Sequence, residues 1–214
     1  MNAASSATHQ RRKAERPQEL LDAALHLFVE KGFAATKAED IARQAGVSKG
    51  TLYLYYTSKE DLLREVISQR VSTRIASGAQ TAASFQGRSA DLMRSLLVDW
   101  WSETLESDAS AVIKLVVAEV RNFPELAEHW TREVIGPGSQ LIGSMVQRGI
   151  DSGEFRPDVN LPSVVHSLVL PMIMLCVHRH SFGACGCQMP GFEPKTFIRE
   201  HVELVLRGLA PPIP

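Results

Sequence analysis

Residues 36–59 read TKAEDIARQAGVSKGTLYLYYTSK, and they have the pattern of two short helices joined by a tight turn. Thr36 and Glu39 have the spacing of a capping box, which predicts that a helix starts after Thr36. Ala42 is small enough for two short helices to cross closely, and Gly46 follows where the chain must turn. The segment therefore predicts a helix-turn-helix, a motif that places its second helix in the major groove of DNA.

The second helix of this motif is predicted to begin after Ser48, a favourable N-cap residue. Leu52 and Tyr56 lie four residues apart and share a face, which predicts that they pack inward. Ser58 is predicted to cap a further helix, with Lys59 in its first turn, where a cation is better explained by a nearby phosphate than by the helix dipole. The polar outward side of the second helix, suited to phosphates and base edges, carries Lys49, Thr51 and Tyr53.

Residues 20–63, LLDAALHLFVEKGFAATKAEDIARQAGVSKGTLYLYYTSKEDLL, resemble the tetracycline-repressor (TetR) family of bacterial transcription regulators. A weaker match, RNFPELAEHWTREVI followed by RGIDSGEF, is similar to the regulatory domain of one branch of that family. The resemblance implies a homodimer, usually a repressor, that leaves its double-stranded DNA operator when a small molecule binds the larger domain.

Transferred to this sequence, the resemblance implies that Thr36 and Lys59 hold backbone phosphates. Tyr55 would reach the phosphate backbone as well, and the start of the second helix would lie at the major groove. Leu54 occupies a position that is often polar in the family, which leaves the operator sequence open. The predicted DNA-binding residues are Thr36, Lys37, Ser48, Lys49, Gly50, Thr51, Tyr53, Tyr55 and Lys59.

The chain has 214 residues, a net charge of −1 and 44% apolar residues, which is ordinary for a soluble globular protein. Three parts are predicted: a flexible basic arm at 1–16, a helix-turn-helix domain at 17–63, and a helical effector-binding and dimerisation domain at 64–214. A charge near zero argues against a general nucleic-acid coat protein, but it is compatible with a dimer that presents two small basic heads. The arm, with Arg11 and Arg12, either adds DNA contacts or is a solvated terminus.

The whole chain has helical patterns and no convincing strand alternation, which predicts an all-α fold. Gly136-Pro137-Gly138 is expected to interrupt or kink one of the helices. After a first helix at 17–31 and one that starts at Ser58 and continues into 72–83, the predicted helices of the body are 90–106, 109–122, 124–148, 161–180 and 194–208.

Two of these helices are too apolar for the surface of a monomer, because their apolar residues cover much of the circumference. By the family resemblance they would pair with their twins in a four-helix dimer interface, and packing in a monomer core is the alternative. The predicted dimer residues are Val165, Leu168, Val169, Met172, Phe197, Ile198, Val202 and Val205.

Large aromatic and Met side chains in the body predict a pocket for an apolar or aromatic effector, although the same residue types also fill empty cores. A few polar side chains are candidate anchors within that pocket. The predicted ligand-binding residues are Trp100, Trp101, Glu119, Phe123, Trp130, Met145, His166 and Met172.

The sequence contains no nucleophile elbow, phosphate loop or H-E-x-x-H motif, so neither enzymatic activity nor a cofactor is predicted. Segment 178–187 combines H-x-H with C-x-C, which leaves open regulation through a metal or thiol oxidation, although the spacing matches no known zinc motif. A DNA binder without effector is a further alternative. The polar first ten residues and the interruption of apolar stretch 164–177 by His166 and Pro171 predict a cytoplasmic protein without a membrane partner.

Overall fold

The computed structural model describes residues 3–186 and 190–211, with side chains from residue 15 onward, and among them it contains no strand. The predicted all-α fold is therefore confirmed. The helices are α1 (Ala3–Lys31), α2 (Ala38–Gln44), α3 (Lys49–Tyr55), α4 (Lys59–Ile67), α5 (Thr73–Ser84), α6 (Ser89–Glu106), α7 (Asp108–Glu119), α8 (Pro124–Trp130), α9 (Gly136–Asp151), α10 (Leu161–Arg179) and α11 (Pro194–Leu209), with π-helical turns at Ser68–Ser72 and Thr131–Ile135 and a 3-10 turn at Gly183–Cys185.

The head consists of α1–α4, which pack around one another through fully buried apolar side chains. Ser48 Oγ accepts from Thr51 N at 3.1 Å, and Ser58 Oγ accepts from Asp61 N at 3.1 Å, so both serines cap their helices as predicted. Gly46 has φ +65° in the turn between α2 and α3, a conformation that glycine adopts without strain. The buried head residues include Leu20, Phe28, Phe33, Ile41, Leu52, Leu62 and Leu63.

The capping box predicted at Thr36 and Glu39 is wrong. Lys37 occupies the N-cap position of α2 and makes no side-chain cap there. Thr36 Oγ1 instead lies 2.8 Å from Gly32 O and 3.2 Å from Leu27 O, and donates to the carbonyls at the end of α1. This hydroxyl therefore ties the turn after α1 to the last turns of that helix and does not cap α2.

The first helix is also longer than predicted. It begins at Ala3, so most of the backbone predicted as a flexible arm is helical and Pro17 lies inside the helix. The side chains of residues 3–14, which include the basic residues Arg11 and Arg12, lie outside the described part. The predicted contribution of this arm to DNA binding thus stays a prediction.

A long connecting helix, residues 59–84, joins the head to the body. It contains α4, the first π-helical turn and α5, which matches the helix predicted from Ser58 onward. In the body, α5 and α6 pack on α9, and α10 packs on α7, α9 and α11. The second π-helical turn comes just before Pro137, which has no N–H to donate, so the expected interruption is a local widening of a continuous helix.

A second contact between head and body is formed at Phe33, in the turn after α1. Phe33 N donates to Glu119 Oε1 at 3.2 Å, at the carboxyl end of α7. The Phe33 ring also packs edge-to-face on Phe123, with centroids 4.8 Å apart and planes at 87°. The corner between α7 and α8 therefore contacts the head directly, at a place separate from the connecting helix.

Candidate DNA-binding surface and effector cavity

Helix α3 has one buried side and one exposed side. Leu52 is fully buried and fixes the helix on the head, while Tyr56 is half-buried and its hydroxyl donates to Pro17 O at 3.4 Å. Removal from water raises the pKa of Tyr56 to about 12, so this phenol stays protonated at neutral pH. On the other side Lys49 is exposed and Tyr53 is 44% exposed. The predicted division of this helix into an inner and an outer side is thus observed.

The ammonium of Lys49 is held by a carboxylate of the preceding helix. Lys49 Nζ hydrogen-bonds to Glu39 Oε1 across the turn between α2 and α3. This bond lowers the pKa of Glu39 and raises that of Lys49, so both groups are charged at neutral pH. A phosphate that approaches Lys49 has to compete with Glu39, and both groups lie in solvent, where such pairs are weak.

Gly50 is exposed on the first turn of α3 and does not need to be glycine for the sake of the fold. A Cβ built there would have its nearest neighbour, Ser48 Oγ, at 3.8 Å, which is ordinary van der Waals contact. Glycine costs helix stability relative to alanine. Close approach of an outside backbone, as in a DNA complex, is the physical reason that favours glycine at this position.

Two residues predicted to hold phosphates have structural roles instead. Thr36 is only 1% exposed, so its side chain does not face solvent, and its predicted phosphate contact stays a prediction. Lys59 Nζ lies 2.9, 3.3 and 3.2 Å from the carbonyl oxygens of Phe33, Ala34 and Thr36, and 4.5 Å from the Phe33 ring centroid. Because an ammonium has three donors, Lys59 has none left for a phosphate in this arrangement.

The remaining residues predicted to bind DNA surround the exposed side of α3. Lys37 is exposed at the start of α2, and Ser48 is exposed although its hydroxyl already caps α3. Thr51 Oγ1 lies 2.9 Å from Ser48 Oγ, and Tyr55 is half-buried against the core. The exposed residues on this surface are therefore Lys37, Ser48, Lys49, Gly50 and Tyr53.

An enclosed cavity of about 80 Å³ lies in the body, and we call it the tryptophan cavity because all three tryptophans of the chain border it. Both π-helical turns contribute to its wall, the first through Arg70 and Val71. Such turns are frequently found at functional sites. The lining residues are Arg70, Val71, Arg74, Ile75, Trp100, Trp101, Thr104, Ala109, Ile113, Trp130, Val134, Ile135, Gly138, Ser139, Ile142, Val169 and Ile173.

Two polar atoms of the cavity residues are buried without a hydrogen-bond partner among the described residues. They are Trp101 Nε1, a donor, and Thr104 Oγ1, which can donate or accept. Leaving such a group unpaired costs about 1–3 kcal/mol. Two unpaired polar atoms on residues that line one cavity make that cavity a candidate ligand site.

Two arginines border the same cavity and differ in their partners. Arg70 Nη2 donates to Asp22 Oδ1 of α1 at 2.8 Å, so its ion pair reaches into the head. Arg74 pairs with Glu103 of α6, within the body. Neither arginine was predicted as a ligand residue, because charged residues on a long helix give no sequence signal of their own.

A larger cleft of about 800 Å³ lies between α5 and α9 and opens to solvent. Small residues such as Ala76, Ala79 and Ala83 line much of it, together with Met145. We favour the tryptophan cavity as the ligand site because it is enclosed, aromatic and contains two unpartnered polar atoms. Met145, predicted for the same pocket as the tryptophans, borders this cleft instead.

The other residues predicted to bind ligand are not brought together. Trp100, Trp101 and Trp130 line the tryptophan cavity. The polar and aromatic candidates Glu119 and Phe123 form the contact with the head, which corrects their predicted role. The last two do not line the tryptophan cavity: His166 is exposed on α10, and Met172 is packed in the core.

The predicted dimer interface needs a similar correction. The buried residues of this set face the interior of the subunit, and Val169 borders the tryptophan cavity. Phe197 and Val205 are half-buried. The residues packed in the interior are Val165, Leu168, Met172, Ile198 and Val202.

A different apolar surface is exposed on the same two helices. Leu170 and Met174 of α10 are 58% and 61% exposed and lie four residues apart, while Leu204 of α11 is 68% exposed. Segment Leu161–Cys185 is long and apolar enough to cross a bilayer by length and composition. Because α10 packs on three other helices of the body, a second protein surface is the better explanation of its exposed apolar side.

Segment 178–187 was considered for metal binding or thiol oxidation. Among the described residues no group of three or more His, Cys, Asp or Glu side chains is arranged to hold a metal ion, and Cys187 lies outside them. His180 is hydrogen-bonded to Ser110, and its Nε2 lies 2.8 Å from Ser110 Oγ. Burial raises the pKa of the nearby Cys176 to about 12, which disfavours its reactive thiolate.

Comparison with known proteins settles the family. Residues 20–66 match the model described as bacterial regulatory proteins, tetR family, and residues 86–182 match the tetracyclin repressor-like C-terminal domain. The chain belongs to the tetR family. The relatives found by comparison are named as transcriptional regulators, so this TetR-family chain is a transcriptional regulator with a helix-turn-helix domain and a helical C-terminal domain.

The similarity to individual TetR-family proteins extends over nearly the whole chain. The transcriptional repressor KstR2 of Rhodococcus jostii is 29% identical over 208 residues, 94% of each protein. The fatty acid degradation regulator FadR from Bacillus halodurans has a TM-score of 0.75 at 18% identity, covering 91% of this chain and 96% of that one. Thermus thermophilus FadR, solved with lauroyl-CoA, has a TM-score of 0.62 at 22% identity, covering 92% and 97%. At these identities the two structures establish the fold alone.

Proposed function

We propose that the protein is a cytoplasmic, homodimeric repressor that binds a palindromic operator and leaves it when a small apolar effector occupies the tryptophan cavity. The observation that carries the proposal is the position of the connecting helix. Its π-helical turn borders the cavity with Arg70 and Val71, and its first part, α4, belongs to the head. A ligand in the cavity therefore touches the same helix that packs on α1 of the head, and α1 in turn packs on α2, which carries α3.

The operator contacts are assigned to the exposed side of α3. Lys49 and Tyr53 project from a helix that Leu52 anchors in the core, and Gly50 leaves room for close approach of the DNA. Side chains of this kind bind phosphates and base edges in the major groove. Two such helices in a dimer would read the two halves of a palindrome, one helical turn apart.

The dimer is assigned to the exposed apolar surface of α10 and α11. Leu170, Met174 and Leu204 are each more than half exposed in one subunit. Pairing this surface with its copy removes these side chains from water, at about 25 cal/mol for each Å² of apolar area buried. A two-fold arrangement would place the same residues on both sides of the interface.

The effector is assigned to apolar molecules that carry one polar group. The tryptophans would surround the apolar part, and a carbonyl would accept from Trp101 Nε1. Acyl thioesters have this chemistry, and similarity to a regulator solved with lauroyl-CoA makes that compound a suitable first probe. The cavity of about 80 Å³ is smaller than the roughly 300–1,000 Å³ of typical ligand sites, so binding would have to push its walls apart.

The proposed mechanism is a shift between two arrangements of the heads. The operator favours one separation of the two α3 helices and the effector favours another, so each ligand weakens the binding of the other. The test is the operator affinity of the purified protein with and without saturating lauroyl-CoA. The operator is a duplex that the wild-type protein selects from a random pool.

We expect saturating effector to weaken operator binding by about 5–150-fold, the usual range of coupling between two sites. Equal affinities in its presence and absence would contradict release by this class of effector. Scrambling one half of the palindrome is the control for sequence specificity. If the scrambled duplex binds as well as the intact one, the protein binds DNA without reading an operator.

A further inference from the structure

The Arg70 side chain contacts two parts of the molecule, the tryptophan cavity and the first helix of the head. Its side chain borders the tryptophan cavity, and its guanidinium donates to Asp22 of α1 at 2.8 Å. The Arg70 side chain is 34% exposed and that of Asp22 is 54% exposed. One ion pair therefore connects the wall of the cavity with the first helix of the head.

We propose that an anionic group of the effector displaces Asp22 from the guanidinium of Arg70. Loss of this ion pair then weakens the contact between α1 and the connecting helix. The inference rests on the proposed function, because it assigns a role to one residue of the proposed effector site. It also narrows the effector to an apolar molecule with an anionic group, either a carboxylate or a phosphate. The anion would lie at Arg70, while the apolar part lies among the tryptophans.

The competition follows from charge. A guanidinium has five donors but one positive charge, so two anions on it repel each other. An ion pair that is partly exposed to water is worth no more than about 1 kcal/mol, and it is easily given up. An effector anion held in place by the apolar contacts of its own chain has the advantage over Asp22, whose carboxylate is half exposed to water and keeps its hydrogen bond from Gln18 Nε2 at 2.8 Å when Arg70 leaves.

Because the cavity is small, binding of the effector at Arg70 also requires the surrounding helices to move. Space of about 80 Å³ does not admit an acyl chain, so entry has to displace the surrounding helices. Arg70 lies in the π-helical turn Ser68–Ser72, where the regular hydrogen bonding of the connecting helix is already interrupted. This turn is therefore one of the two irregular parts of the wall, and a displacement of the turn would carry Arg70 with it.

Arg74 provides a matched comparison within the same cavity. It borders the cavity like Arg70, but its carboxylate partner is Glu103 of α6. Freeing Arg74 changes a contact inside the body and leaves the contact between the connecting helix and α1 intact. Asp22→Asn therefore frees the arginine at which the anion would lie, whereas Glu103→Gln frees a neighbouring arginine and leaves the ion pair between Arg70 and the head intact.

The first test needs no effector. Operator affinity is measured by fluorescence anisotropy for wild type, Asp22→Asn, Arg70→Gln and the double variant, with a duplex selected by the wild-type protein. The double-mutant cycle removes the separate effect of each charge on DNA and leaves the coupling of the pair. We expect a coupling of about threefold in operator affinity, within the range of partly exposed ion pairs. A coupling factor of one would overturn the proposal.

The second test uses the tryptophans as reporters, since all three border the cavity. Lauroyl-CoA, laurate and lauryl alcohol are titrated while tryptophan fluorescence is recorded. Because Asp22 no longer competes in Asp22→Asn, we expect this variant to bind the anionic probes about threefold more tightly than wild type and the alcohol equally well. Laurate and lauroyl-CoA separate a carboxylate from a phosphate source of the charge.

The control Glu103→Gln should bind the anionic probes more weakly than Asp22→Asn does, and its operator affinity should equal that of wild type. Unchanged binding of anionic probes by Asp22→Asn would overturn the role of Arg70 even if effector still releases the operator. If none of the three probes changes the fluorescence, the proposed effector class is wrong, and the role of Arg70 in binding it is wrong as well.

Discussion

The head and the body are both built from packed helices, but their polar groups are arranged differently. In the head, Ser48 and Ser58 cap their helices and Lys59 binds three carbonyl groups of one turn. The buried side-chain atoms without a partner among the described residues all lie in the connecting helix or the body. The head is therefore a preformed surface, whereas the body contains a cavity whose polar groups are incomplete without a ligand.

The difference has a functional meaning. A surface that reads DNA has to keep its geometry, because small displacements of base-contacting side chains lose hydrogen bonds. A site that triggers release has to change its conformation when its ligand binds. Irregular π-helical turns and polar groups without a partner lower the free energy of such a change. Four variants test whether this division between a rigid head and an adaptable body is correct.

The largest effect is expected for Leu204→Glu, which places a charge on the exposed apolar surface of α11. The dimer should dissociate, and operator affinity should fall by about a hundredfold or more because the two heads no longer bind together. Sedimentation equilibrium and anisotropy measure the two effects. The control is Val117→Glu. Val117 is an apolar residue of α7 that is 49% exposed, and the variant protein should stay dimeric. A dimeric Leu204→Glu protein would refute the proposed interface.

Tyr53→Ala should come next. Removing a side chain that contacts a base or phosphate costs about 1–3 kcal/mol, so operator affinity should fall by roughly ten- to hundredfold. The melting temperature should be unchanged, since Tyr53 projects from the surface. Tyr53→Phe separates the hydroxyl from the ring. Wild-type operator affinity in Tyr53→Ala would show that α3 does not read DNA through this side.

Lys59→Met distinguishes a structural from a DNA-binding lysine. Loss of charge-assisted hydrogen bonds to the turn after α1 should lower the free energy of unfolding by about 2 kcal/mol. Chemical denaturation of the protein without DNA measures this loss, and Lys59→Arg, which keeps the charge, is the matched control. If stability is unchanged and only operator affinity falls, Lys59 is a phosphate anchor after all.

The smallest change in free energy among the four variants is expected for Gly50→Ala. Alanine in the first turn of α3 should stabilise the protein by about 0.5–1 kcal/mol, because it loses less backbone entropy than glycine. Operator affinity should nevertheless decrease, since the added methyl group keeps the DNA at a distance. Denaturation and anisotropy together check the two opposite signs. A gain in stability without a loss of operator affinity would remove Gly50 from the DNA-binding surface.

Features specified by local chemistry could be predicted from the sequence. The caps at Ser48 and Ser58 and the turn at Gly46 depend on neighbouring residues only. The hydrogen bonds that Thr36 and Lys59 make within the head could not be predicted, and the reason is tertiary. Both satisfy carbonyl groups at the end of α1 and in the turn after it, and sequence spacing does not reveal which distant carbonyls need a donor.

The helices of the body could be predicted from the sequence, but which side of each helix is buried and which is exposed could not. Helix α10 is apolar nearly all round, so its periodicity does not distinguish Val165, which is buried, from Leu170, which is exposed. The π-helical turns add to the difficulty, because an extra residue per turn rotates every later side chain relative to a regular helix. Arg70 lies in such a turn, and only the packed structure places it at the cavity.

The central claim is that operator and effector bind to two arrangements of one protein. Its most direct test is reciprocity. The dissociation constant of lauroyl-CoA is measured from tryptophan fluorescence with and without saturating operator duplex, and that of the operator with and without saturating lauroyl-CoA. Linkage requires both ratios to be the same factor, and we expect that factor to exceed about fivefold. Effector binding that is unchanged by the operator would contradict the account.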